Sequence, residues 1–529
     1  MRKNNGLRKS FKKIVAWKYL DVTVLIAGLG AYVAQAMATI NSWSIWFDEA
    51  FSAYLIRFDF AQIAHYTAAD VHPPLYYWAL KAWSLLFGTS EIALRSLSVL
   101  FAVIAIIFCF LLVRRLFGRK AAYITVLLLA VSPMLIRYGQ EARMYAMAAA
   151  IAMAATYTMV IALQSKKKLP WIIYGILIAA GMWTHYFVAM VWLAHWLWRA
   201  LTVWRRKNSI IGYLKKLFTK EWAGAYALAI ILYIPWMSSM FHQLFDIQSG
   251  WFWISPVGAD TLTNYLTTTI FFQQHDQLSP WLSLLFLIVV IALVALAVIA
   301  YHRTRGKQRT AYMLIASLAI VPVLLVFIAS LPPLRSSFIE RYLMPSVVSF
   351  SMFAAIIIAI GTAKLKSWAQ GAIIVLVAGS MGIGVVHAQT IGNFNKSANV
   401  SIDTRQVVAH IEEKSDGSEP IISRTPWIFY EAVFYESAAH KVFYFGDAVA
   451  GAGSGSLDML RGADSHKITD LKQFAEMYPT VWYFGEPGDL DIAVPFNGWT
   501  VKQSFRVDDP ITGKKRYQAV QYDTRTMTE

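Results

Sequence analysis

The stretch that decides the fold runs from Trp43 to Tyr77 and reads WSIWFDEAFSAYLIRFDFAQIAHYTAADVHPPLYY. It begins with aromatic residues, carries Asp48 and Glu49 near its start, and has His72 before two prolines near its end. The sequence on either side is strongly apolar, so this density of acids and histidines needs a reason. We interpret the stretch as the first outside loop of a membrane protein, with Asp48 as a catalytic carboxylate.

The composition supports a membrane protein. The chain has 529 residues, of which 57% are hydrophobic, whereas ordinary soluble domains are about 45–50% apolar. The net charge of +17 does not indicate nucleic-acid binding, because the lysines and arginines form short runs beside apolar segments, as the positive-inside rule requires. The single cysteine, Cys109, lies in an apolar run, which excludes a disulfide framework.

Eleven apolar segments are predicted to cross the ~30 Å hydrocarbon layer, and each basic cluster then lies on the same side. The shortest, Trp171–Thr184, is the weakest prediction, because such a segment could also be tilted, broken or re-entrant. The predicted spans are Val22–Ile40, Ala93–Val113, Ala121–Ile136, Ala146–Leu163, Trp171–Thr184, Val188–Leu201, Ala223–Met240, Trp281–Ala300, Met313–Ser330, Leu343–Ile360 and Gln370–Val386.

We therefore predict an α-helical polytopic membrane protein with about 11 transmembrane helices and a C-terminal soluble α/β domain, located in the cytoplasmic membrane. Residues 1–21 would be a basic cytoplasmic N-terminus. Residues 22–390 would form the transmembrane catalytic domain, with outside loops 41–92 and 241–280, the second rich in tryptophan and lying at the headgroups. Residues 395–529 would form an extracytoplasmic accessory domain.

The composition of the C-terminal part is typical of a soluble α/β domain that assists catalysis or binds the acceptor. It contains no glycine-rich phosphate loop and no cluster with metal-ligand spacing. Periodicity predicts two helices and four short strands, with a flexible glycine-rich loop at Ala450–Ser456. The predicted helices are Thr404–Lys414 and Thr469–Tyr478, and the strands are Pro420–Ser423, Val442–Phe445, Val481–Phe484 and Tyr517–Tyr522.

Asp48 and Glu49 admit two interpretations. Acids favour the first turn of a helix, and the following AFSAYLIR has helical character. The alternative is catalysis, which we favour because the pair follows a span directly, among aromatic residues, in a loop that also contains His72. The two prolines after His72 stiffen the backbone and would aim its side chain, although a solvated histidine at a helix entry is an equal alternative.

Two short motifs place an arginine at an outside span end. They are EARMY, with Glu141, Arg143 and Tyr145, and ERY, with Arg341 and Tyr342. Arginine makes bidentate contacts to phosphate, while the simple alternative is snorkelling to lipid headgroups. Two such arginines on the face that carries Asp48 favour an anionic lipid ligand. His185, in THYF, is a weaker candidate, because a satisfied interfacial histidine is as common.

The order of these motifs, an aromatic-DE, HPPLYY, EARMY, THYF and ERYLMP, resembles the GT-C superfamily of glycosyltransferases that use polyprenyl-phosphate sugars. Within it, residues 20–345 resemble the bacterial branch of glycosyltransferase family 39, related to protein O-mannosyltransferases and aminoarabinose transferases. The resemblance implies that Asp48 is the catalytic base, with Glu49 beside it. The substrate-binding residues are expected to be His72, Tyr76, Glu141, Arg143, Tyr145, His185, Arg341 and Tyr342. Some relatives carry lysine at the position of His72, and histidine is the weaker partner for phosphate.

These features predict a glycosyltransferase that moves a monosaccharide from a polyprenyl-phosphate donor to a glycan, lipid or protein acceptor on the outer face of the membrane. A glycan polymerase or ligase of similar architecture is the alternative enzyme. A lipid flippase or transporter is the alternative outside enzymes, disfavoured because the spans carry almost no acids near their middles. No cofactor is certain; acids near Asp48 could hold Mg²⁺ or Mn²⁺, but no spacing establishes a metal site.

Overall fold

The computed structural model describes residues 2–204, 209–249, 254–390, 404–423, 425–445, 459–460, 464–485, 498–508 and 515–525. The chain forms two compact units. The first, called here the helical unit, comprises Met1–Ala38, Ser96–Ser238 and Ile247–Thr390. The second, the mixed unit, comprises Thr39–Arg95, Ser239–Asp246 and Ile391–Glu529. The first loop and the C-terminal part of the chain therefore belong to the same unit.

Among the residues that the structure describes, nine helices are long and apolar enough to span a membrane. This confirms the prediction of a polytopic α-helical membrane protein. The nine segments are Tyr19–Thr39, Glu91–Phe117, Tyr145–Gln164, Tyr186–Val203, Lys220–Ile247, Pro280–Arg303, Gly306–Ala329, Glu340–Gly361 and Ser367–Thr390. The first and fifth belong to longer helices, Arg2–Thr39 and Lys220–Ser249.

The remaining two predicted spans are irregular. The third consists of Arg119–Ala130 and Pro133–Gly139, which meet at an angle of 56°. The break follows from Pro133, which has no N–H and clashes with a preceding helical turn, and from Ser132, whose side chain caps the second helix. The fifth predicted span, Trp171–Thr184, corresponds to the helix Leu169–Thr184, which has 16 residues. At 1.5 Å per residue this helix is ~24 Å long, which is shorter than the hydrocarbon layer. Counting the bent pair as one span gives ten.

One close helix contact in the helical unit depends on a glycine. A Cβ added at Gly384, in the last span, would lie 2.3 Å from the carbonyl oxygen of Ile270 and 2.9 Å from Cα of Phe271. Both atoms belong to the backbone of the helix Thr261–Phe271, which cannot yield as a flexible side chain would. Only glycine therefore fits here, whereas nothing lies within 4 Å of a Cβ added at Gly382.

The first loop of the mixed unit folds into three short helices. The acidic helix, Phe47–Leu55, carries Asp48 and Glu49 in its first turn. Asp59 caps the second helix, Phe60–Ala68, in a reciprocal capping box with Gln62. Such a box satisfies two backbone donors that the helix leaves unpaired. The third helix runs from Leu75 to Phe87.

In the described part of the C-terminal region, three helices have assigned bounds and five strands form one sheet. The helices are Thr404–Lys414, Pro426–Phe434 and Leu471–Met477. The strands are β1 (Ile421–Ser423), β2 (Val442–Tyr444), β3 (Thr480–Gly485), β4 (Thr500–Asp508) and β5 (Lys515–Asp523), in the order β2-β1-β3-β5-β4. β1 is parallel to β2 and β3, whereas β5 is antiparallel to β3 and β4. The prediction of an α/β region is thus confirmed, and Ala450–Ser456 lies outside the described residues.

The structure adds elements that the sequence analysis did not predict. The helix Pro426–Phe434 and strand β4 are both new. The first part of the loop predicted at 241–280 continues a helix to Ser249, and the helix Thr261–Phe271 follows. The tryptophans at 251 and 253, on which the headgroup interpretation depends, lie outside the described residues.

Candidate active site

Asp48 is the second residue of the acidic helix and is partly buried. The N-cap position is Trp46, and no side chain caps the helix there. Asp48 is therefore not the capping residue that the simple alternative required. It still lies in the first turn, where the helix dipole favours a carboxylate over a carboxylic acid. Its backbone carbonyl accepts a hydrogen bond of 2.9 Å from the Ser52 hydroxyl.

Glu49 is engaged in a buried ion pair with Arg95. The Arg95 guanidinium donates from Nε to Oε1 at 2.8 Å and from Nη2 to Oε2 at 2.7 Å. Glu49 is 1% exposed and Arg95 4% exposed, and such bidentate, charge-assisted contacts are strong and directional. This geometry gives Glu49 a positioning role in the loop and leaves Asp48 as the better candidate for proton transfer.

Arg95 also holds the residues that lead into the acidic helix. It donates to the carbonyl oxygens of Ile40 at 2.8 Å, Trp43 at 2.9 Å and Ser44 at 3.1 Å. The sequence analysis placed Arg95 inside a predicted span and assigned it no function. The available signal was a single arginine near the end of an otherwise apolar segment, where a charge is expensive unless it is paired.

His72 and Tyr76, the other candidates in the mixed unit, are both buried. Nδ1 of His72 lies 3.1 Å from Oδ2 of Asp70, so the imidazole is oriented by a carboxylate two residues away. The ring of Tyr76 contacts that of Tyr77 edge to face, with centroids 5.8 Å apart.

Four of the predicted substrate-binding residues meet in the helical unit, in what we call the arginine–aromatic cluster. Cζ of Arg341 lies 5.8 Å from the ring centroids of both Tyr145 and Tyr342, within cation–π range. The ring of His185 lies 4.9 Å from that of Tyr342 and 6.0 Å from that of Tyr145. Phe187, which was not predicted, adds a ring 5.2 Å from Tyr342.

The arginine–aromatic cluster is buried. Arg341 is 1% exposed and is among the largest fully buried side chains, and His185 is 3% exposed. A short 3₁₀ helix, Glu340–Leu343, precedes the helix Met344–Gly361. Its turn directs Arg341 and Tyr342 toward the protein interior. A guanidinium in such surroundings interacts with another charge more strongly than it would in water.

Glu141 and Arg143 lie in the short segment between the helices Pro133–Gly139 and Tyr145–Gln164. Both are buried, at 0% and 3% exposure. The Arg143 N–H donates to the Glu141 carbonyl at 2.7 Å, and its own carbonyl accepts from the Ser98 hydroxyl at 3.2 Å. Arg137, another arginine that the sequence analysis did not single out, pairs with Glu141 at 3.5 Å. Because Arg143 and Arg341 are both buried, simple snorkelling of their side chains to lipid headgroups does not explain their positions.

The structure therefore places the ten predicted residues in two groups. Asp48, Glu49, His72 and Tyr76 belong to the mixed unit, and the other six belong to the helical unit. Among the residues that the structure describes, no three histidines, cysteines or acids come together in a way that could hold a metal ion.

A buried polar network in the helical unit was not predicted. His195 lies 3.0 Å from the Thr156 hydroxyl and 2.9 Å from that of Tyr174, which in turn is 3.1 Å from the Tyr226 hydroxyl. These partners satisfy both ring nitrogens, as buried polar groups require. The network explains how one histidine is accommodated inside an apolar span.

The chain was compared with known families, curated proteins and solved structures. Residues 71–239 match the family model described as dolichyl-phosphate-mannose-protein mannosyltransferase. The crystal structure of ArnT from Cupriavidus metallidurans in the apo state is 14% identical, with a TM-score of 0.62 over 96% of this chain and 98% of that chain. The structure of ArnT from the same organism bound to undecaprenyl phosphate is 13% identical, with a TM-score of 0.59 over 95% and 98%. No curated protein matches the chain. The chain thus shares the fold of the ArnT structures, and residues 71–239 resemble the mannosyltransferase family.

Proposed function

We propose that this enzyme transfers a monosaccharide from a polyprenyl-phosphate donor to an acceptor hydroxyl at the outer face of the cytoplasmic membrane. Two comparisons support this class of donor. The matching family is described by a dolichyl-phosphate sugar, and the ArnT structure of the same fold holds undecaprenyl phosphate. Both lipids are polyprenyl phosphates, so the donor is expected to be a lipid monophosphate and not a nucleotide sugar.

The observation that carries the proposal is the arginine–aromatic cluster. The Arg341 guanidinium, with the rings of Tyr145 and Tyr342 nearby, is a permanently charged group that is almost fully buried. Its planar fork matches two oxygens of a phosphate. The rings restrict its orientation, so little reorganisation is needed when a phosphate arrives, and preorganised groups of this kind contribute most to transition-state stabilisation.

In the proposed reaction Asp48 takes the proton from the acceptor hydroxyl, and the oxygen attacks the anomeric carbon of the donor sugar. The bond between that carbon and the phosphate oxygen breaks, and its electron pair leaves with the polyprenyl phosphate. Arg143 and Arg341 offset the charge that develops on this phosphate. Direct displacement inverts the anomeric configuration. Asp48 suits the base role because a positioned carboxylate is a common general base, whereas Glu49 is committed to Arg95.

The orientation at the membrane follows from the positive charges. In the predicted order of spans, lysine and arginine clusters such as Lys166–Lys168 fall on the side opposite to the acidic loop, and the positive-inside rule assigns such clusters to the cytoplasm. The N-terminus would then be cytoplasmic and the C-terminal region extracytoplasmic. Asp48 would act at the outer face, where nucleotide sugars are absent and lipid-linked sugars are available.

The direct test is transfer of a radiolabelled sugar by the purified enzyme. We expect label to move from a polyprenyl-phosphate hexose to a glycan, lipid or protein acceptor in a mixture of envelope components, and none to move from a nucleotide sugar. Transfer only from a diphosphate-linked oligosaccharide would instead indicate the ligase alternative. A parallel reaction with a chelator tests whether Mg²⁺ or Mn²⁺ is required.

A further inference from the structure

The residues that lead into the acidic helix are held by the C-terminal part of the chain. Arg405, the second residue of the helix Thr404–Lys414, donates from Nη2 to the Trp43 carbonyl at 3.2 Å. Its backbone N–H donates to the Ser44 hydroxyl at 3.1 Å. These bonds join residues that are more than 360 positions apart in the sequence. They lie four and five residues before Asp48, so they fix the backbone from which the proposed base projects.

Glu91 is the centre of this attachment. Its Oε1 accepts from the Ile45 N–H at 3.0 Å and from Nη2 of Arg405 at 2.9 Å, and it also accepts from the Tyr435 hydroxyl. The same hydroxyl accepts a hydrogen bond of 2.8 Å from the Ile45 N–H. Burial, and then the hydrogen bond to Glu91, raise the pKa of Tyr435 well above its ordinary value, so this hydroxyl remains a donor at any physiological pH. We call Glu91, Arg405 and Tyr435 the clasp.

The acidic helix itself packs on the helix Pro426–Phe434 through aromatic rings. Phe47 contacts Trp427 and Tyr430 with centroids 6.0 and 6.2 Å apart. Tyr54 contacts Tyr430 at 5.2 Å, and Phe51 contacts it at 6.2 Å. Because successive residues of an α-helix are ~100° apart, positions 47, 51 and 54 form one stripe that faces the C-terminal helix.

The opposite side of the acidic helix is fixed by the ion pair of Glu49 with Arg95. Glu49 lies ~200° around the helix from Phe47, and Asp48 lies ~100° from it, between the two fixed sides. The helix is thus held on two faces, and Asp48 projects from the face between them. Each set of contacts includes a partner outside the first loop, which is Arg95 on one side and the helix Pro426–Phe434 on the other.

We propose that the clasp and the helix Pro426–Phe434 position Asp48 for catalysis, so that the C-terminal region is a working part of the active site. Arg405 and Tyr435 are positioning residues, since they act through the backbone of Trp43–Ile45 and not on the substrate. This inference depends on the proposed role of Asp48 as the base. A displacement of about 1 Å in a catalytic group can reduce the rate ~10²-fold, which is the size of effect that loss of the clasp can produce.

The test compares Arg405→Gln and Tyr435→Phe in the full-length enzyme. Each removes hydrogen bonds of the clasp while keeping most of the side-chain volume. We expect kcat per folded molecule to fall by ~10-fold in each variant and up to ~10²-fold in the double variant, with KM for a polyprenyl-phosphate hexose unchanged, because the donor's phosphate contacts are not altered. Arg405→Lys keeps the positive charge and one donor nitrogen, so it should recover part of the kcat that Arg405→Gln loses.

Two matched controls come from the same region. Arg525→Gln breaks an exposed ion pair with Asp523, and Tyr478→Phe removes the hydroxyl of a ring that packs on Phe474 and Phe443. Both should retain wild-type kcat. The unfolding midpoint of each variant shows whether it is folded, and Arg405→Lys serves if Arg405→Gln is not.

The outcomes separate this inference from the proposed function. Wild-type kcat in folded Arg405→Gln, Arg405→Lys and Tyr435→Phe enzymes would overturn the positioning role, as would an increase in KM with unchanged kcat. If Asp48→Asn abolishes transfer while those clasp variants are fully active, only the clasp inference fails. If Asp48→Asn is itself fully active, the base assignment fails first.

Discussion

Replacement of Arg95 by methionine should destabilise the enzyme strongly. The change removes five hydrogen bonds, two to the Glu49 carboxylate and three to the carbonyls of Ile40, Trp43 and Ser44. It leaves Glu49, which is 1% exposed, as a buried charge that has lost its bidentate partner. Breaking a buried ion pair by removing one partner typically costs ~3–5 kcal/mol. For a folding unit of about 150–250 residues, each kcal/mol lowers the unfolding midpoint by roughly 2–4 °C, so a decrease of roughly 10 °C is expected.

The assay is thermal unfolding of the detergent-solubilised protein, followed by intrinsic fluorescence. The double variant Arg95→Met/Glu49→Leu is informative, because replacing both partners of a buried pair by apolar groups is often neutral. Its midpoint should lie above that of Arg95→Met, although the three loop carbonyls still lose a donor. Arg525→Met, at the exposed pair with Asp523, is the control and should not move the midpoint. A midpoint of Arg95→Met equal to the wild type would refute the reasoning that this pair organises the loop.

Three further predictions follow from other parts of the structure. Arg341→Lys and Arg143→Lys should each raise KM for the lipid donor while expression is spared, because an ammonium group cannot reproduce a bidentate contact with phosphate; near-normal kinetics at both positions would assign these arginines to the membrane interface. Gly384→Ala should lower the unfolding midpoint, since its Cβ would lie 2.3 Å from the Ile270 carbonyl oxygen, while Gly382→Ala, which meets nothing within 4 Å, should not; equal midpoints would disprove the close helix contact. Reporter fusions at Lys167, Arg206 and Glu413 should be cytoplasmic, cytoplasmic and extracytoplasmic, and a cytoplasmic signal at Glu413 would reverse the assigned topology.

The transmembrane architecture could be predicted because lipid imposes a simple rule on sequence. A spanning segment must be long, apolar and helical, and every predicted span except Ala121–Ile136 coincides with one continuous helical segment. The break at Pro133 was not predicted, because its apolar flanks read as one segment. Proline signals only that the helix is interrupted, whereas the angle between Arg119–Ala130 and Pro133–Gly139 depends on packing.

The helix Pro426–Phe434 and strand β4 in the C-terminal region were not predicted, because neither has the regular apolar pattern that was searched for. The helix Pro426–Phe434 buries residues on nearly all sides, including Phe429, Tyr430 and Val433, so it lacks the polar face that reveals an amphipathic helix. Strand β4 is an edge strand with mostly exposed side chains, and Gln503 interrupts the alternation of Val501, Phe505 and Val507 with polar residues. In the helix the tertiary environment decides the structure, whereas in the strand the apolar alternation is present but incomplete.

Part of the candidate site could be predicted from short local motifs. The EARMY, THYF and ERY motifs supplied Tyr145, His185, Arg341 and Tyr342, which the structure brings together in the helical unit. The ion pair of Glu49 and the clasp were not predictable, because their partners lie 46 and more than 300 positions away. No local pattern identifies Arg95 or Arg405 as the partner of an acid in or beside the first loop.

The measurement that tests the central claim most directly is the transfer activity of purified Asp48→Asn enzyme, determined together with its binding of a polyprenyl-phosphate hexose. The substitution keeps the size of the side chain and removes the basic carboxylate. The account predicts that turnover falls by about 10²–10⁴-fold, the usual loss for a general base, while donor affinity and the unfolding midpoint stay at wild-type values. Turnover above about a tenth of the wild-type rate, well short of such a loss, would contradict the assignment of Asp48 as the catalytic base.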